Sequence, residues 1–178
     1  MRLNLFKPLI LFIFITSLTT WAVPGVVQAT SHKEIFNWVA KQMETDKDYP
    51  MPQIKIVSKE ELQRVFSKFS EKSVKRWAES LGEEEADRIM ARYLNEVIGL
   101  FVPETKIIYV GNFLNPCKQS SIVAHEITHY FQCMKHGKID PHSFNADLIY
   151  LGNELEASKI ENLFLKTFCE TKTTNLQE

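Results

Sequence analysis

His125-Glu126-Ile127-Thr128-His129 places two imidazoles four residues apart, on one face of any α-helix that contains them, with a carboxylate beside the first. Such a pair can hold one metal ion through both rings and leave Glu126 free to take a proton from a water at that ion. With His125 set at zero and a turn of about 100° per residue, His129 falls at about 40° and Glu126 at about 100°. Val123, Ala124, Ile127, Tyr130, Phe131 and Met134 fall on the opposite side. The helix is therefore expected to carry an apolar back and a ligand-bearing front.

Its ends are marked in the flanking sequence. Asn115 suits the N-cap, Pro116 the first helical position, and Gly137 the position just past the end, after Lys135 and His136. Upstream, Val97 to Val102 and Thr105 to Val110 are apolar and β-branched, and Pro103-Glu104 between them predicts a hairpin with a tight turn. Gln53 to Val57 alternates like a half-buried strand. The spacing of Ile35, Phe36, Trp38, Val39 and Met43 predicts a helix over 32–43, with Ser31 as its cap. Ser58-Lys59-Glu60-Glu61 has the pattern of a capping box and opens a helix through Phe69. Helical segments follow from Lys72 to Leu94, interrupted near Gly82. Glu83-Glu84-Glu85 reads as a solvated first turn. A last helix runs from about Ser143 to Phe168, with Gly152 inside it. These elements make an α+β domain with no internal repeat and no linker.

The chain begins with a different kind of segment. Arg2 and Lys7 precede an apolar run from Leu9 to Val23, Pro24-Gly25 breaks it, and Val27-Gln28-Ala29 offers small residues for cleavage. About 15 apolar residues fall short of the ~20 that span a bilayer, so residues 1–29 are expected to be a signal peptide, not a retained membrane anchor. Removing them takes away Arg2 and Lys7 and leaves 19 basic against 22 acidic residues, a net charge of −3. That balance gives no electrostatic case for nucleic acid or an anionic membrane surface. Residues 30–178 suffice for one domain with a core, the tail about 171–178 being too polar to join it.

A catalytic zinc site needs a third protein ligand and an open position for water. Downstream of the motif stand His136, His142, Glu154, Glu156 and Glu161. Glu154 and Glu156 lie about 200° apart on one helix and cannot both face the ion. Here the sequence resembles the gluzincin branch of the zincin metallopeptidases, in which a downstream glutamate, often in Asn-Glu-x-x-Ala or Asn-Glu-x-x-Ser, completes the site. Asn153-Glu154-Leu155-Glu156-Ala157-Ser158 matches with Glu154 as the ligand and Glu156 as the alternative. His142 fits less well, because the Gly-containing extension that precedes a short-spaced third His in other zincins is absent after His129. The Asp that supports a ligating His in these relatives is replaced by Ser158, leaving that supporting partner open.

The resemblance covers about Thr105 to Leu165 and implies a small zincin-like fold, with a small antiparallel sheet, the HExxH helix and a glutamate-bearing helix. It implies zinc held by His125, His129 and Glu154, with Glu126 as general base in hydrolysis of peptide bonds. Tyr130, His136, His142 and Tyr150 are candidates for a second donor to the developing oxyanion, Tyr130 being more suited to the core. In such proteins the strand before the metal helix is an edge to which peptide substrate adds, which here is Thr105 to Val110.

The chain has three cysteines, Cys117, Cys133 and Cys169. Sixteen residues at 1.5 Å rise put Cys117 and Cys133 about 24 Å apart on one helix, beyond disulfide reach. The antiparallel metal and glutamate helices of the relatives bring Cys117 and Cys169 to one side of the zinc, which implies a Cys117–Cys169 bridge and a reduced Cys133. The expected function is that of a secreted or periplasmic zinc metallopeptidase acting on a peptide or protein. The alternatives are a zincin-like protein that binds zinc and captures peptides or a partner without turnover, and a metal-free structural domain.

Overall fold

A computed structural model of the chain describes residues 30–45, 48–137 and 146–170. The expected signal peptide over 1–29, His142 and the tail over 171–178 lie outside the described residues. The element order is α1 (His32–Gln42), β1 (Gln53–Val57), α2 (Lys59–Leu81), α3 (Glu83–Glu96), β2 (Gly99–Val102), β3 (Ile107–Gly111), α4 (Pro116–His136) and α5 (Ala146–Leu165), ending in a π-helical turn, Lys166–Glu170. Local chemistry accounts for most boundaries. Ser31 and Glu34 form a reciprocal capping box at α1, and the Ser58 hydroxyl accepts from Glu61 N at the start of α2. α2 continues well past Phe69, and Gly82, at φ 91°, separates it from α3.

The three strands make a mixed sheet in the order β1-β3-β2. β1 runs parallel to β3, pairing Gln53 with Ile107 and Val57 with Gly111. β2 runs antiparallel to β3, pairing Gly99 with Val110 and Val102 with Ile107. This corrects two expectations. The sheet is not purely antiparallel, and β3 is its central strand, so the edge before the metal helix is β2. The hairpin turn is also longer than Pro103-Glu104. It spans residues 103–106, puts Thr105 in the turn, and closes with Lys106 N donating to Val102 O at 2.8 Å.

Side chains alternate across the sheet. Phe101, Ile108 and Val110 join Ile35 and Val39 of α1 and the back of α4 in the main core. Leu100 and Tyr109 face the other way, with Val57, against Leu62, Val65 and Phe66 of α2. On α4 the expected back face is buried: Val123, Ala124 and Ile127 are inaccessible, and Tyr130 and Phe131 nearly so. The main core thereby fixes the rotation of α4 and hence the direction its front residues face.

Candidate metal centre

α4 begins and ends where its caps dictate. Asn115 Oδ1 accepts from Lys118 N at 2.9 Å, Pro116 opens the first turn, and Gly137, at φ 78°, donates its N–H to Cys133 O at 2.8 Å. α5 lies antiparallel against it. Cys117 near the start of α4 is bridged to Cys169 beyond the end of α5, with Cα atoms 6.2 Å apart. Lys118 pairs with Glu161 at 2.6 Å, and near the other end Gln132 Nε2 donates to Asn153 O at 3.0 Å. Between Glu154 and Glu161, on the same face of α5, sits Ala157 with no accessible surface. Its small side chain lets the two helices approach.

That approach gathers the expected ligands. Ligand atoms of His125, His129 and Glu154 all lie within 4.8 Å of one another, a group that can hold a metal ion. The two Nε2 atoms are 3.1 Å apart, and Glu154 places one carboxylate oxygen 3.6 Å from that of His125 and the other 3.3 Å from that of His129. Glu156, the alternative, faces elsewhere: it accepts from Gln132 Nε2 at 2.9 Å.

Hydrogen bonds behind the rings settle which nitrogen carries the proton. Gln132 is buried, and its amide nitrogen donates to two groups that can only accept, the Asn153 carbonyl and the Glu156 carboxylate. Its Oε1 must then be the atom 2.8 Å from His129 Nδ1, so Nδ1 donates. His125 Nδ1 lies 3.1 Å from Glu161 Oε2 and donates to it, while Lys118 holds the other oxygen of that carboxylate. With each ring neutral, as a metal ligand must be, the Nε2 lone pairs face each other and a third acceptor, Glu154. Such a group can hold a cation, a proton or a metal ion, and two imidazoles with a carboxylate suit a divalent transition metal.

The ionisation of the metal-free cluster points the same way. Burial opposes charge on His125, but the Glu154 and Glu161 carboxylates outweigh it and hold the ring up to about 10. Burial likewise opposes charge on His129, yet Glu154 and the neighbouring carboxylates raise it. His125 and His129 hold Glu154 well below the usual carboxylate range, and His125 with Lys118 lowers Glu161 to about 2 despite partial burial. The pocket favours positive charge at the point where Nε2 atoms meet.

Glu126 is nearly inaccessible, and burial raises its carboxyl against the pull of the two histidines. Phe101 N–H on β2 is its backbone partner. It reaches that edge because Gly99 has no side chain there: a Cβ on Gly99 would collide with Ile122 and lie 2.7 Å from Glu126 Oε1.

The site opens onto a cleft of about 690 Å³, walled by α2, β2, α4 and α5. Of the donors considered from the sequence, Tyr150 lines this cleft. Tyr130 is in the core, ringed by Phe36, Phe101 and Phe131, with its hydroxyl on Pro50 O. His136 is exposed at the end of α4 and does not line the cleft, and His142 is outside the described residues. Cys133 is half-buried on the cleft wall and outside the disulfide.

Gln132, Glu161 and Lys118 were not assigned from the sequence. A signal existed: Lys118 and Gln132 fall within about 20° of His125 on the helical wheel, a polar stripe on the ligand face. Glu161 follows Glu154 by seven residues, two turns along the same face. In comparisons with family models, curated proteins and solved structures, nothing matches this chain.

Proposed function

We propose that the protein is a zinc-dependent peptidase of gluzincin type, built on a minimal zincin-like fold and exported from the cytoplasm. The observation that carries this reading is the convergence of two Nδ1-protonated imidazoles and Glu154, with the buried carboxylate of Glu126 beside them. His125, His129 and Glu154 would hold the zinc ion. When bound, zinc supplies Lewis acidity toward a water and toward the carbonyl under attack. Glu126 takes the proton of the attacking water and delivers it to the leaving nitrogen; its raised pKa suits both halves of that transfer. Glu161 and Gln132 keep the rings turned and their Nε2 lone pairs directed inward. Tyr150, on the cleft wall, is the candidate second donor to the oxyanion.

Substrate has an edge to bind. β2 is paired on one side only, its Gly99, Leu100 and Phe101 line the cleft, and Phe101 N–H faces Glu126. Alternation along the strand turns the polar groups of Gly99 the same way, so an extended peptide can add there by backbone hydrogen bonds. Export is supported by the apolar run over 9–23 and by the disulfide. Among the described residues no helix is long and apolar enough to cross a membrane.

Elemental analysis with turnover of a mixed peptide library tests this reading. The wild type should carry stoichiometric zinc and cleave peptides, Glu154→Ala should lose the metal, and Glu126→Gln should keep it and lose turnover by about 10²–10⁴-fold. Undiminished hydrolysis in Glu126→Gln, or full zinc in Glu154→Ala, would overturn it.

A further inference from the structure

The cleft that opens from the metal site contains two cations with no counterion among the described residues. Its carboxylates are engaged. Glu154 faces the histidines, Glu161 holds Lys118 and His125, Glu96 pairs with Arg92 at 3.3 Å, Glu126 takes the Phe101 N–H, and Glu104 also has a partner. Lys118 is thereby occupied. Arg76 and Lys72, both on the α2 wall, have no carboxylate within 4 Å among the described residues.

The placement of Arg76 is informative. Glu79, three residues on, is at ion-pair spacing along the helix, as Glu96 four residues on is for Arg92 at 3.3 Å. Arg76 instead turns back toward the helix start, where Nη2 donates to Ser73 Oγ at 3.3 Å. It is half-buried, and Ser73 too lines the cleft. Lys72 stands one turn earlier on the same face, so two like charges sit at i,i+4, a spacing that disfavours the helix unless an anion lies between them. Phe66 and Phe69 continue that face, and Val97 and Leu100 lie opposite, giving an apolar floor between the cationic wall and the metal ligands. A guanidinium with four free N–H groups above apolar surface matches a carboxylate in bidentate geometry.

We infer that Arg76, assisted by Lys72, is a carboxylate-recognising subsite of the cleft, so that the ligand is a peptide bearing a carboxylate on or beside an apolar residue. This deepens the peptidase reading and rests on it for the word substrate. The carboxylate has two sources, a free C-terminus or an acidic side chain. In either case Arg76 anchors one end of a peptide whose backbone passes β2 toward Glu126.

The test uses zinc-loaded Glu126→Gln protein and three otherwise identical apolar peptides. One has a free C-terminal carboxylate, one a C-terminal amide, and one the amide with a single internal Glu. Binding is read by calorimetry. At least one carboxylate-bearing peptide should bind about 10- to 100-fold more tightly than the neutral amide, the span expected for a charge-assisted pair. Arg76→Met should abolish that preference and Arg76→Lys restore part of it, with thermal melts verifying that each variant is folded. Preference for the free acid assigns the C-terminus, and preference for the Glu peptide assigns a side chain. Equal binding of all three peptides, or a preference that survives Arg76→Met, overturns the inference. The two proposals fail separately. A wild type that cleaves acid and amide peptides equally keeps the peptidase reading and loses the subsite, whereas Arg76-dependent binding without wild-type turnover does the reverse.

Discussion

Gly99→Ala is a single-methyl test of how Glu126 is placed. The backbone at Gly99 is not in the left-handed region, so conformational freedom is not what glycine supplies there. What it supplies is room. A Cβ would collide with Ile122 Cγ2 and stand 2.7 Å from Glu126 Oε1 and 3.2 Å from Glu126 Cγ, against ordinary carbon contacts of about 3.5–4.0 Å. Ile122 is 4% exposed and Glu126 7%, so neither can swing into solvent. Relief requires moving the carboxylate, the α4 backbone or β2 by roughly 0.5–1 Å. Overpacking of this kind costs about 1–3 kcal/mol. For a domain of this size each kcal/mol is worth about 2–4 °C, so the melting temperature should fall by about 2–12 °C.

On the peptidase reading, the effect on turnover should exceed the thermal one. A misplacement of about 1 Å in a reacting group can reduce rate by about 10²-fold, and Glu126 is the group displaced. The three atoms nearest the new methyl belong to Ile122 and Glu126, not to His125, His129 or Glu154, so metal content should be unchanged. The assay is kcat/KM on any cleaved peptide, with melting and zinc content on the same preparation. Gly152→Ala is the control: nothing lies within 4 Å of a Cβ there, the residue is inside α5, and alanine should stabilise by about 0.5–1 kcal/mol with activity unchanged. A Gly99→Ala protein with wild-type melting and wild-type kcat/KM would refute the close approach of β2 to Glu126.

Four further outcomes are expected. Gln132→Leu should weaken zinc binding by about 10–100-fold in a chelator competition, because His129 loses the acceptor that fixes its tautomer, whereas Glu156→Ala should have a much smaller effect; equal losses would restore Glu156 as a ligand candidate. Ala157→Leu should push α5 from α4 and lower metal affinity and melting together, an overpacking cost of about 1–3 kcal/mol, and a variant that binds zinc normally would contradict the tight crossing. The metal-free protein should be most stable in mildly acid solution: His125, raised to about 10, stabilises fully below its ordinary value of 6.5 and loses that effect as pH rises above it, Glu126, raised from 4.5, loses its own from that value upward, and Glu154 and Glu161 lose theirs as pH falls below about 4.5; denaturant melts giving a flat profile from pH 5 to 9 would contradict it. Reduction of Cys117–Cys169, 52 residues apart in sequence, should cost about 4 kcal/mol by loop closure and weaken zinc binding, and unchanged melting on reduction would show the bridge to be dispensable.

How much of this centre was legible in the sequence depended on the range of the interaction. α4 was fully legible, because its caps, its apolar back and the His125–His129 spacing are all local to one helix and agree with one another. The sheet was legible only in its strands. Pairing β1 parallel to β3 joins residues more than fifty positions apart, and no turn or alternation in Gln53–Val57 says which neighbour it takes. The strand just before α4 is therefore central, and the edge belongs to β2. On α5 the apolar pattern does not identify the buried face. Leu148, Leu151 and Leu155 look like a core stripe but are exposed, whereas Ala157, Ile160 and Phe164 are the buried face. With apolar residues all round the helix, hydrophobicity alone does not orient it; the polar residues that must meet α4 do. Glu154 meets two histidines, and Glu161 meets His125 and Lys118. Each of these contacts is specific only because α4 already holds its front in place. The first half of α5, ahead of Ile160, Phe164 and the Cys117–Cys169 bridge, is thus held by the site it completes, and loss of Glu154 together with Glu161 should lower hydrogen-exchange protection there while α4 retains its own.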